Sequence, residues 1–169
     1  MTTYRTVFGS LEKYEKGTVE IINDDPKHYV YSNVFEVVAR AAPYEKTAVA
    51  KNLEYVIEAI RAEGRSRWMT CAHDEFVVVL DGEVEVELVK LAASAAPAAG
   101  HSGTTSGTVA LAGEPTGKRM GTIRLGRGHQ ALLPQGAAYR FSAARPSAMI
   151  QQTLKGDLTV EKWSEICSR

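Results

Sequence analysis

Between Phe76 and Val89 apolar and polar positions follow a two-residue rhythm. FVVVL is a run of β-branched and bulky residues of strand length, Asp81-Gly82 is a turn signal, and EVEVELV alternates Glu outward with Val and Leu inward. That pattern predicts two antiparallel strands joined as a tight hairpin, with one wet face and one dry face. The same punctuation returns in GTIRLGRGHQALLPQGAAYRFSA, residues 121–143, where short apolar runs are separated by Gly and Pro, and MIQQTL at 149–154 reads as a further strand. Short strands at regular spacing predict an all-β barrel or sandwich.

The flanks are less uniform. TVEII at 18–22 and YVYSNVFEVVA at 29–39, separated by the turn signal NDDPK, read as an N-terminal arm of strands. Residues 45–63 carry two patterns at once. Val49, Leu53, Val56, Ile57 and Ile60 recur at helical spacing with Gly64 placed as a C-cap, while a strand across Glu54 to Arg61 fits the same residues. The tail GDLTVEKWSEICSR predicts a short amphipathic C-terminal helix, capped by Asp157 or Thr159, with Val160, Trp163 and Cys167 on one side.

Composition narrows the function classes. Twenty Lys and Arg balance twenty Asp and Glu, giving a formal charge of zero, and the pI is near 6.9, so no basic field is available to hold a phosphate backbone. The 169 residues suffice for one core, and a single domain over 1–169 is expected. Residues 91–119, rich in Ala, Gly, Ser, Thr and Pro, are too poor in bulk to pack and are expected to form a long flexible loop within it, with a short strand at TVAL. The apolar runs are far shorter than the roughly 20 residues of a membrane span, and MTTYRTVFGSLEKYEKG lacks the order of a signal peptide, so a cytoplasmic location is expected. Cys71 and Cys167 stand in no CxxC or CxxH spacing and indicate neither a disulfide framework nor a zinc site.

The chemistry concentrates in residues 69–82, MTCAHDEFVVVLDG, and in residues 128–139. These stretches resemble the paired motifs of the cupin superfamily, in which His-x-His, three or four residues, Glu, six residues and Gly are followed later by Gly, five residues, Pro-x-Gly, two residues and His. Glu75 and Gly82 match the first motif, and Gly128, Pro134 and Gly136 match the second. The resemblance implies a cupin-type antiparallel β-barrel, a double-stranded β-helix. The ligands depart from it. The two histidine positions of the first motif hold Met69 and Cys71 in one spacing, or Trp68 and Thr70 in the other, and Tyr139 stands where the second motif has its histidine. One Glu does not make a site of imidazole and carboxylate ligands. The expected arrangement is a vestigial polar pocket of Cys71, His73, Glu75 and Tyr139 with no metal and no catalytic residue. An improvised site of His73, Glu75 and His129 is the alternative. Cys71 beside His73 lacks a third, orienting group for nucleophilic work, and GRGH at 126–129 opens no helix that would make it a phosphate loop.

A closer resemblance covers nearly the whole chain outside the Ala/Gly/Ser stretch. FGSLEKYEKGTVEIINDDPKHYVYSNVFEVV, NLEYVIEAIRAEGRSRWMTCAHDEFVVVLDGEVEVELVKL, GHQALLPQGAAYRF and KGDLTVEKW are similar to the small subunit of two-component hydroquinone 1,2-dioxygenases. That resemblance implies a larger partner carrying Fe(II), a heterotetramer of two small and two large chains, and ring opening of hydroquinone-type phenols by O2 to give 4-hydroxymuconic semialdehyde. The small chain would stabilise and complete the large one. Tyr14, Tyr29, Tyr31, Phe35 and Trp163 are then candidate interface anchors, since aromatic residues dominate buried interface centres. A third reading is a binding module that takes an aromatic ligand among Trp68, Phe76 and Tyr139.

Overall fold

The computed structural model describes residues 9–14, 33–52, 55–92 and 107–162. They form one short helix and ten strands: α1 (Val34–Arg40), β1 (Lys46–Lys51), β2 (Tyr55–Arg65), β3 (Met69–Thr70), β4 (Glu75–Asp81), β5 (Glu83–Leu91), β6 (Val109–Ala110), β7 (Gly117–Gly126), β8 (Gln130–Leu133), β9 (Ala137–Leu154) and β10 (Thr159–Val160). The strands make a single curled sheet, a barrel of the cupin type. No helix among the described residues is long and apolar enough to cross a membrane.

β9 is the spine of the barrel. Its first half, Ala137 to Ser142, pairs antiparallel with β5 and β3, and its second half, Ser147 to Leu154, pairs with β2 and β4. The two runs expected at 137–143 and 149–154 are therefore one strand of 18 residues that passes through Pro146 and serves both halves of the barrel. The Asp81-Gly82 hairpin is corrected for the same reason. β4 and β5 do not pair with each other; each pairs with β9, and Gly82 turns the chain from one half of the barrel to the other. Gly82 takes φ +83°, and a Cβ there would lie 2.2 Å from Ser147 Oγ, so the corner requires glycine twice over. The Ser147 hydroxyl accepts from the Glu83 amide at 3.1 Å, which ties the corner to the bend in β9.

Residues 46–51 and 55–65 take the strand option. In β2 the side chains of Val56, Glu58, Ile60 and Ala62 face inward and are buried, a period of two that the helical reading of the same residues cannot produce. Gly64 caps no helix; it sits at φ +68° beside a register shift in the β2–β9 ladder. The arm expected as strands is corrected at Asn33. Its carboxamide oxygen accepts from the amides of Phe35 at 3.0 Å and Glu36 at 3.3 Å, an N-cap that starts α1 despite the β-branched residues that follow. α1 then buries Val37 and Val38 against Val49, Ala59 and Ala148 on the outside of the sheet. The expected strand at 18–22 and residues 29–32 lie outside the described residues. The tail does not begin a helix at Asp157 or Thr159. Thr159 and Val160 pair parallel with Lys46 and Thr47, and the Thr159 hydroxyl donates to Glu58 at 2.6 Å; residues 163–169 lie outside the described residues. Within the stretch 91–119, Val109–Ala110 pairs with β3 and β7 begins at Gly117, while 93–106 lie outside the described residues.

Val77, Val79, Val84, Val86, Phe141 and Met149 are fully buried and meet in one cluster. Each such side chain contributes about 1.5–3 kcal/mol of transfer free energy. The polar site lies beside this cluster.

Candidate functional site

The first motif is held by two turns that grip each other. The Gly136 amide donates to the Cys71 carbonyl at 3.1 Å, and the Gln135 amide donates to Asp74 Oδ1 at 2.8 Å. This fastens the Pro-Gln-Gly turn ahead of β9 to the 71–74 turn ahead of β4, and so aligns the two motifs. Met69 pairs with Tyr139 across β3 and β9, which places the tyrosine beside the chain that leads into Glu75. Glu75 shares the inward parity of Val77 and Val79, so its carboxylate enters the barrel, where it is fully buried.

A buried carboxylate needs compensating donors, and here neutral groups supply them. The Tyr139 hydroxyl donates to Glu75 Oε2 at 2.5 Å and the Thr108 hydroxyl donates to Oε1 at 2.6 Å. Gln151 gives its amide hydrogens to Tyr139 Oη at 3.0 Å and Thr108 Oγ1 at 3.3 Å, and its carbonyl accepts from Lys46 Nζ at 2.8 Å. Lys46 in turn pairs with Glu58 at 3.0 Å, both nearly fully buried. On the other side of Glu75, the Leu154 amide donates to His73 Nε2 at 3.3 Å, which makes Nε2 an acceptor and assigns the proton to Nδ1. That Nδ1 lies 3.0 Å from Cys71 Sγ. A continuous polar chain thus runs from His73 to Glu58 through the barrel wall.

Burial, and after it the negative charge of Glu75, pushes the Cys71 thiol up to about 12 and the Tyr139 phenol well above its ordinary 10. Both groups are kept protonated, so neither is a thiolate or phenolate nucleophile at neutral pH.

The ligand atoms of Cys71, His73 and Glu75 lie within 4.8 Å of one another. The donor set still does not fit Fe(II). Both Glu75 oxygens already accept short hydrogen bonds, His73 Nε2 faces a backbone amide, and a phenol hydroxyl fills the place of the second-motif imidazole. His129 is not brought to the group. The β4–β8 register sets Glu75 opposite Leu133, four residues further along, about 13 Å away at the rise of a strand, and His129 Nδ1 accepts from the Gly126 amide at 3.1 Å in its own turn. The three aromatic residues of the ligand-binding reading are not gathered either. Tyr139 faces the interior, Phe76 points outward and is 47% exposed, and Trp68 donates its indole N–H to Glu114 at 2.8 Å under the guanidinium of Arg140.

Of the interface candidates, Phe35 is half-buried on α1 and Tyr14 is half-buried at the end of the segment in which the Leu11 amide donates to Asp81 at 2.8 Å. Tyr29, Tyr31 and Trp163 lie outside the described residues. Lys46, Glu58, Thr108 and Gln151 are members of the polar chain that the motifs did not indicate. Gln151, Lys46 and Glu58 had a signal, being polar residues at inward strand positions; Thr108, in a stretch of low complexity, had none.

No protein-family model and no curated protein matches the sequence. Solved structures do. The chain is 52% identical to a chain of hydroquinone 1,2-dioxygenase PnpCD, crystallised with Cd2+ and 4-hydroxybenzonitrile, over 100% of this chain and 99% of that one, with TM-score 0.82. It is 53% identical to a chain of hydroquinone 1,2-dioxygenase from Sphingomonas sp. TTNP3 with 4-hydroxybenzoate bound, over 98% of each, again with TM-score 0.82. A second, longer chain of PnpCD, in the structure with Fe3+, aligns over 85% of this chain but 38% of its own length, at 9% identity and TM-score 0.57, a likeness of fold alone.

Proposed function

The chain belongs to the hydroquinone 1,2-dioxygenase family as its small subunit, and from that membership we propose that it completes and stabilises a larger, iron-bearing subunit without holding a metal itself. The observation that carries this reading is the identity of more than half of all positions over the full length of both relatives. The hydrogen bonds that Glu75 and His73 already make support the division of labour, since a metal would have to compete with these donors for the same oxygens and ring nitrogen. The complex, of two small and two large chains, converts hydroquinone and O2 to 4-hydroxymuconic semialdehyde, and both oxygen atoms enter the product. Fe(II) in the large subunit supplies open positions for the phenol and for dioxygen.

The contribution of this chain is then structural. Cys71, His73, Glu75 and Tyr139 form a polar core that takes the place of a metal centre, while Tyr14, Tyr29, Tyr31, Phe35 and Trp163 serve as anchors on the partner. The chain acts as one domain in the cytoplasm. The test is to prepare the large subunit alone and together with this chain under anaerobic conditions with Fe(II). Ring cleavage is expected only from the pair, with less than about a tenth of an equivalent of iron on the isolated small chain. A large subunit that is soluble, iron-loaded and fully active alone overturns the reading, and so does a stoichiometric metal on this chain.

A further inference from the structure

The two outer faces of the barrel differ in kind. On the β5 side Glu85 and Glu87 point outward and meet Arg124, Arg65 and Arg140 in a ladder of ion pairs. On the opposite side two rows of outward positions across β2, β9, β4 and β8 carry no charge, and the charged Arg61 and Glu63 that follow on β2 pair with each other. Strand register places Ile57, Gln152, Phe76 and Leu132 in one row and Ala59, Ile150, Val78 and Gln130 in the next. α1 covers the Ala59 end of this face and leaves the rest uncovered among the described residues.

Phe76 is 47% exposed, Leu132 43% and nearby Tyr55 46%. An aromatic side chain presents about 150–250 Å2, so these three leave roughly 250 Å2 of apolar area in water. The half-buried Ile57, Val78, Ile150 and Leu154 extend it. A face of this size reaches the roughly 300–600 Å2 of the largest patch on a typical monomer, about half of the roughly 800 Å2 that one partner gives to a stable interface.

We infer that this charge-free face, centred on Phe76 and Leu132, is a seat for the large subunit. The inference rests on the reading of the chain as a small subunit and adds where the partner sits. Two features select this occupant. Permanent subunit interfaces are apolar and resemble a core cut in half, whereas a nucleic acid or an acidic peptide would need the cations that this face lacks. The face is also continuous with the N-terminal side of the molecule: Phe35 and Leu11 pack in the same cluster as Ile57 and Leu80, so the proposed anchor Phe35 and the open sheet face form one surface.

The test compares the complex formed by the wild-type chain with that formed by Phe76→Glu/Leu132→Glu, using Glu85→Ala on the opposite face as control. Affinity for the large subunit is measured by titration, and assembly by size-exclusion chromatography with light scattering. The double variant is expected to weaken association at least a hundredfold while the isolated chain keeps its circular dichroism, and the control is expected to bind as the wild type does. Because two added charges could disturb folding, Phe76→Gln/Leu132→Gln is measured alongside, with at least a tenfold loss expected. Association within threefold of wild type for folded variants overturns the inference and leaves the family reading intact. Failure of the wild-type chain to bind the large subunit overturns both. An isolated chain that is a dimer, and that becomes a monomer on Phe76→Glu/Leu132→Glu, assigns the face to a second copy and overturns the inference as well.

Discussion

Tyr139→Phe is the sharpest probe of the polar core. The substitution keeps the ring, which is fully buried 5.3 Å from that of Phe141, and removes one oxygen. That oxygen donates to Glu75 Oε2 at 2.5 Å and accepts from Gln151 at 3.0 Å. Hydrogen bonds to charged groups are worth about 1.5–3 kcal/mol, and a buried acceptor left short of donors costs more than the bond itself. Gln151 keeps Thr108 and Lys46 as partners, so its share of the loss is small. The expected destabilisation is about 2–4 kcal/mol. For a chain of this size that lowers Tm by roughly 5–12 °C. Calorimetry on wild type, Tyr139→Phe, Glu75→Gln and the double variant gives the coupling directly. If the hydroxyl acts by holding the carboxylate, Tyr139→Phe costs about 1 kcal/mol or less in the Glu75→Gln background. Equal losses in both backgrounds, or a loss below about 0.5 kcal/mol in the wild type, refute the reasoning.

Lys46→Met leaves Glu58 buried with only the Thr159 hydroxyl and is expected to cost about 3–5 kcal/mol in urea unfolding, whereas adding Glu58→Leu restores more than half. The raised thiol of Cys71, about 12, and phenol of Tyr44, about 12, with that of Tyr139 above 10, hold their protons where the unfolded chain releases them. Stability is therefore fully present below pH 9 and falls as pH rises toward 12, by at most about 1.4 kcal/mol per pH unit for each group; Cys71→Ala should flatten the fall between pH 9 and 10 in melting curves. The same burial predicts that iodoacetamide at pH 8 leaves Cys71 unmodified in the folded chain and modifies it in urea. Gly82→Ala forces φ +83° on a residue with a Cβ and drives that atom into Ser147, so a loss of about 2–4 kcal/mol is expected by the same urea assay; a loss under about 0.5 kcal/mol would mean that the corner is not constrained.

The barrel was legible in the chain because period-two alternation and Gly/Pro punctuation are local properties: they predict β4, β5, β7 and β8 from their own residues. The missing imidazoles were equally legible, since motif spacing assigns the ligand positions and shows Met69 and Cys71, or Trp68 and Thr70, and Tyr139 where histidines would stand. Tertiary structure decided what local pattern leaves degenerate. Residues 45–63 fit two periods until β9 offers β2 a ladder to pair with, and Asp81-Gly82 makes a corner, where a hairpin was equally consistent with the residues, because one 18-residue strand is long enough to serve both β4 and β5. Asn33 starts a helix in a β-rich run because Val37 and Val38 find a face to cover. The polar chain from His73 through Glu75 and Gln151 to Lys46 and Glu58 joins residues up to 105 positions apart, as in the bond from Lys46 to Gln151. No spacing rule reaches that far: hydrogen bonds at 2.5–3.3 Å depend on strand register, and register is settled only when the whole sheet closes.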